Sequence, residues 1–268
     1  AAAPKSLGIA IFGPDGALIQ RFEGKAEEPK KDEKPAGGDD DEDGGDEPKG
    51  PPTAAMKSGM NRFTWNMRHS GFIDFDGMIL WTSRNRGVLA LPGAYKAQLI
   101  VDGKIQEQGF AITRDPRVMG VSDADLKSRF DLAQAVTAKV SEANKAVLQV
   151  RSLRAQAEAH AKAKPLPAAV TALLARLAAV EAELYQVKNQ SRQDPLNYPI
   201  KLNDKLAGLI GVIDSADAPP TDGARAVFAD LSSQLARQLR ALEAALADLP
   251  AANAALQAAG LKPLNRVP

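Results

Sequence analysis

Residues 110–130 read FAITRDPRVMGVSDADLKSRF, and the apolar repeat changes within them. Before this stretch apolar residues alternate with polar ones, the period of a strand with one buried face. After it they recur every three or four positions, the period of an amphipathic helix. Asp115-Pro116 closes the first pattern, and Ser122, with Asp125 three residues on, supplies the N-capping pair that opens the second. The chain therefore reads as segregated α+β. Residues 1–117 are expected to form an antiparallel β-sandwich, and residues 118–268 an antiparallel four-helix bundle with long helices.

Upstream of the switch, Leu7, Ile9 and Ile11 alternate, Gly13-Pro14-Asp15-Gly16 makes a turn, and residues 17–22 return as a second strand. Phe63, Trp65 and Met67 alternate with Arg62, Thr64 and Asn66, which predicts a half-buried strand. Residues 78–81, Met-Ile-Leu-Trp, read as another. Tyr95, Ala97, Leu99 and Val101 share a face, and Asp102-Gly103 is a strong two-residue hairpin signal leading back to Phe110 and Ile112. Downstream, stripes from Leu126 to Val150, Val170 to Val187, Leu202 to Ile213 and Val227 to Leu249 predict four helices. Pro165 and Pro167, then Asp194-Pro195, then Pro219-Pro220 with Thr221 as N-cap, separate them.

The 268 residues carry a net charge of only +1, so no global field draws the chain to nucleic acid or an anionic membrane. The balance is uneven. Residues 27–49 hold 11 acidic and 4 basic side chains, a local −7 that leaves +8 elsewhere. Residues 27–52 contain no aromatic or β-branched residue besides charge, Gly and Pro, and are expected to be a disordered insertion. With no cysteine, disulfides, thiol catalysis and thiolate metal sites are excluded. No apolar run approaches the roughly 20 residues of a membrane span. The strand-like run starting at Leu7 suggests a piece of something longer.

Few residues offer chemistry. His69 lies beside Ser70 without a nucleophile-elbow pattern, and His160 sits among Ala, Glu and Lys on a helix and is expected to be exposed. Two distant histidines are too few for zinc. Asp39, Asp41, Asp43 and Gly44 copy half an EF-hand loop, but position 12 falls on Gly50. Asp74 and Asp76, in the loop Gly71–Gly77, stand near Arg68 and Trp81 in sequence. A carboxylate pair beside an aromatic is a sugar-binding combination, so Arg68, Asp74, Asp76 and Trp81 are the candidate ligand-binding residues. Local hydrogen bonding in a loop is the simpler role for the two aspartates. No catalytic, cofactor or metal residue is assigned. Asn144 falls beside an apolar stripe, where an amide can set register.

Residues 60–68, Met-Asn-Arg-Phe-Thr-Trp-Asn-Met-Arg, and 77–81, Gly-Met-Ile-Leu-Trp, resemble the β-domain that follows the propeller in bacterial sortilin-like BNR-repeat proteins. Residues 92–95, 101–104, 114–117, 130–132, 141–144 and 198–203 continue the resemblance in the same order. It implies an immunoglobulin or fibronectin-type sandwich, and a periplasmic or secreted setting in bacteria. Such proteins often carry a glycosyl hydrolase label because BNR repeats occur in sialidases. No Ser-x-Asp-x-Gly-x-x-Trp box is present here, and no catalytic residue transfers. The expected role is a non-catalytic accessory and interaction module, partnered by an N-terminal β-propeller and able to self-associate through its helices. A carbohydrate-binding module and a hydrolase fragment are the alternatives.

Overall fold

The computed structural model describes residues 3–25 and 53–266. The expected disordered insertion and the EF-hand-like aspartates 39, 41 and 43 lie outside these. The chain divides into two compact units. Of the described residues, one comprises 3–25, 53–70 and 89–119, the other 71–88 and 120–266.

The first unit is one sheet of five strands in the order β3-β2-β1-β4-β5. These are β1 (Leu7–Phe12), β2 (Leu18–Lys25), β3 (Ala54–Ala55), β4 (Gly93–Val101) and β5 (Lys104–Ile112). The Gly13–Gly16 turn closes on Gly13 N–H to Ala17 O at 2.9 Å, and Asp15 Oδ1 accepts from Ala17 N–H at 3.0 Å. Asp102 and Gly103 take φ of +47° and +80°, the mirror-image turn that matches strand twist. Asp102 Oδ1 also accepts from Lys5 and Ser6 N–H at 2.8 and 2.9 Å, fixing the chain's approach to β1. One sheet face carries Ile9, Ile11, Tyr95, Ala97, Phe110 and Ile112, packed with Ile19, Phe22, Phe63 and Trp65. Trp65 stands 6.0 Å from Tyr95 and 6.1 Å from Phe110, and its indole N–H donates to Arg68 O at 3.0 Å. Each such ring pair adds about 0.5–1.5 kcal/mol beyond its buried area. The other face is polar, with Lys96, Gln98 and Glu107 joined.

This corrects the sandwich, and with it the immunoglobulin-like reading. There is a single curled half-barrel sheet, and β3 joins β2 in parallel, so the sheet is mixed. The physical reason is that alternation reports burial of one face, not pairing of an edge. Phe63 and Trp65 do pack inward, but the segment carrying them forms no ladder. Its sole pairing among the described residues is the isolated bridge Arg68–Leu89, and Met67 turns away at φ +57°.

The second unit contains α1 (Asp123–Ala161), α2 (Ala168–Leu184), α3 (Leu202–Ile213), α4 (Asp222–Leu246) and α5 (Leu249–Ala258). At 1.5 Å per residue, the 39 residues of α1 span about 58 Å. Ser122 and Asp125 form a reciprocal capping box, and the Thr221 hydroxyl caps α4. One apolar core runs through all five helices, including Val136, Val147, Leu153, Leu177, Leu206, Leu235 and Leu256. The expected long four-helix bundle is corrected as well. The last apolar stripe breaks into two helices where Pro250 can only occupy a first turn, and α3 has just 12 residues.

Residues 71–88 complete this unit without forming a strand. Phe72, Leu80 and Val88 enter the helical core, and Phe75 and Met78 pack against it. The expected strand at 78–81 is absent: Met78 N–H closes a turn on Phe75 O, and the N–H groups of Ile79 and Trp81 donate to the side chains of Tyr185 and Asp204.

Candidate functional site

The polar groups most deeply buried in the helical unit converge on segment 71–88. Asn144, on α1, is 0% exposed. Its amide donates to Ile73 O at 2.7 Å and lies 3.4 Å from Met78 Sδ, while its carbonyl accepts from Asn203 Nδ2 at 3.1 Å. Ser141, one turn earlier, accepts from Ile73 N–H at 3.1 Å. A buried amide with no partner would cost several kcal/mol, so these bonds permit its burial.

Asp204, 3% exposed in the first turn of α3, makes the densest contact. Its carboxylate accepts from Trp81 N–H at 2.8 Å and Thr82 N–H at 3.0 Å. The Thr82 hydroxyl lies 2.6 Å from the carboxylate and 2.8 Å from the Asp204 carbonyl. A carboxylate facing two successive N–H groups is a charge-assisted clamp on backbone. One turn along α3, Gly208 leaves room for Thr82: a Cβ there would stand 2.5 Å from Thr82 Oγ1.

Tyr185 closes the opposite side. Its hydroxyl oxygen accepts from Ile79 N–H at 3.1 Å, and its ring meets Phe75 edge-on at 5.1 Å. The Arg151 guanidinium lies 4.6 Å from the Phe75 ring centre and 5.1 Å from that of Tyr185. Arg151 bonds Glu181 at 2.7 Å, and Arg154 bonds the other oxygen of the same carboxylate. Glu181 is 1% exposed, so its charge is tolerated through these two partners.

The four candidate ligand residues are not gathered in one unit. Arg68 belongs to the sheet unit, and Asp74, Asp76 and Trp81 to the helical unit. Asp74 accepts from Asn85 Nδ2 at 3.3 Å, and Asn85 also bridges the Phe72 backbone at 2.9 and 2.7 Å. Asp76 is exposed. Trp81 is fixed by its backbone but leaves its side chain outward, at 43% exposure. His69 is half-buried in the sheet unit; burial lowers its pKa, and the Asp15 charge works against that. His160 is half-buried, not exposed. Among the described residues, no three His, Cys, Asp or Glu are placed to hold a metal ion, and no helix is long and apolar enough to cross a membrane.

Sequence reading passed over Asp204, Asn203, Glu181 and Tyr185. A signal existed: Glu181 sits on the apolar stripe with Leu177 and Leu184, and Asn203-Asp204 interrupts that of Leu202 and Leu206. A charged side chain on a core-facing stripe must have a partner. The chain was compared with family models, curated proteins and solved structures, and none matches.

Proposed function

We propose that this chain is a non-catalytic accessory and interaction module of a larger extracytoplasmic bacterial protein, the sortilin-like BNR-repeat type its motifs resemble. The supporting observation is how the buried polar side chains are used. Asn144, Glu181 and Asp204 spend their capacity on backbone and arginine within the helical unit. Groups saturated in this way position a chain segment; they are not poised for proton transfer to a substrate. The partner is a BNR-repeat β-propeller. Sedimentation velocity of the intact chain mixed with such a propeller tests the reading, with a joint boundary as the expected result. Independent sedimentation at about 100 μM would contradict it.

A second reading draws on the outward Trp81 side chain, held on a fixed backbone as sugar-stacking aromatics are. Calorimetric titration with oligosaccharides, compared between wild type and Trp81→Ala, separates the two. Heat that survives the substitution removes Trp81 from the site.

A further inference from the structure

The two edges of the sheet are unlike. One ends in β3, two residues long and too short to template another chain. The other is β5, nine residues without proline or bulge. Its ladder with β4 runs unbroken from Val101↔Lys104 to Gly93↔Ile112. Because the turn has two residues, Val101 and Lys104 exchange both hydrogen bonds, and the pattern alternates from there. Residues 104, 106, 108, 110 and 112 bond to β4. The N–H and C=O groups of Ile105, Glu107, Gly109 and Ala111 point to the far edge, which no other strand among the described residues pairs. All four residues are exposed, and the outward Gly109 carbonyl accepts from the Gln108 side-chain amide at 2.9 Å.

The geometry points to β5 as a self-association edge, pairing antiparallel with β5 of a second copy about a two-fold axis at Gly109. Three features select a second copy. The strand's ionisable side chains are one lysine and one glutamate, and Glu107 is already matched by Lys96 at 3.1 Å and Gln98 at 2.5 Å. In this register Glu107 faces Ala111 and Gly109 faces Gly109, so no like charges oppose within residues 106–112; Lys104 falls opposite Arg114, beyond the end of the strand. On the core face, Gln108 and Gln106 of one copy lie over Phe110 and Ile112 of the other, both left half-buried at the rim. The outward residues make about six main-chain hydrogen bonds across the axis. A patch this small gives a weak dimer. The assignment is independent of the propeller reading.

Sedimentation equilibrium of the intact chain, with amide exchange read by NMR, tests it. Wild type is expected to move from the 28.4 kDa monomer toward twice that mass between about 1 and 100 μM. Amides of 105, 107, 109 and 111 gain protection over that range, while those of 106, 108 and 110 are protected throughout. Gly109→Pro removes one outward donor and spares the β4 ladder. Ala111→Lys adds an edge charge and serves if the proline variant fails to fold. Each should keep the chain monomeric, and Val212→Lys, on the exposed side of α3, should leave the dimer intact. A wild type that stays monomeric at about 100 μM overturns the assignment. So does a dimer that survives both folded β5 variants, or odd amides that gain protection only when a different chain is added.

Discussion

Helix α3 carries two glycines three residues apart, and replacing each by alanine should shift stability in opposite directions. In a helix interior alanine is favoured over glycine by about 0.8–1 kcal/mol. At Gly211 a new Cβ meets nothing within 4 Å, so Gly211→Ala should stabilise the helical unit by about that amount. At Gly208 the Cβ would stand 2.5 Å from Thr82 Oγ1 and 2.8 Å from Thr82 Cβ. Relief requires Thr82 to withdraw by about 1 Å, since ordinary contact begins near 3.5 Å. That stretches its hydroxyl contacts to Asp204, now 2.6 and 2.8 Å, beyond bonding range. A hydrogen bond to a charged group contributes about 1.5–3 kcal/mol. After subtracting the helix gain, Gly208→Ala should destabilise by about 1–2 kcal/mol. Urea unfolding followed by far-UV circular dichroism reads both values at unchanged m. Thr82→Gly supplies the cycle: with the whole threonine side chain gone, its Cβ included, Gly208→Ala should become neutral or stabilising, a coupling of at least about 1 kcal/mol. Equal stabilisation by both alanines in the wild-type background would refute the packing of segment 71–88 on α3.

Other consequences follow from the same contacts. Glu181→Ala leaves Arg151 and Arg154 facing each other without their shared carboxylate. Because both arginines reach solvent, the loss should fall near the lower end of about 3–5 kcal/mol in urea unfolding. His69 has a folded pKa below its unfolded value, so the unfolded chain binds the proton first. Its contribution is complete above about pH 6.5 and is lost as pH falls through that value toward the folded pKa. The sheet unit's melting temperature, followed by near-UV circular dichroism, should drop between pH 7.5 and 5.5, and His69→Gln should flatten the drop. Asp125 and Asp194 run on the acid side. Hydrogen bonds from Ser122 to Asp125, and from Gln190 and Ser191 N–H to Asp194, hold both carboxyls below the usual range. Their stabilisation is present above about pH 4 and lost below it, and Ser122→Ala should cost about 1 kcal/mol at neutral pH.

What could be read in the sequence were features whose cause lies within a few residues. The Asp102-Gly103 turn, the Ser122–Asp125 box and the proline breaks each depend on local backbone chemistry, and each forms as read. The sheet's architecture was not legible. Trp65 alternates as a strand residue does because it too has one buried side, and periodicity cannot tell a covering segment from a hydrogen-bonded one. Residues 78–81 failed for a different reason. Their apolar character announces burial, but the groups that satisfy the N–H donors of Ile79 and Trp81, Tyr185 and Asp204, lie over 100 residues away. The candidate ligand residues are divided in a way that proximity in sequence does not announce: Arg68 falls in the sheet unit, and Asp74, Asp76 and Trp81 in the helical unit.

The most direct test of the claim that the buried polar side chains hold segment 71–88 is amide exchange, residue by residue, on the intact chain. The N–H groups of Ile73, Ile79, Trp81 and Thr82 should be protected although they belong to no helix or strand. Asp204→Ala should release Trp81 and Thr82, and leave the β4–β5 ladder unchanged. Free exchange of all four in the wild type, or undiminished protection at 81 and 82 after the substitution, would contradict the account.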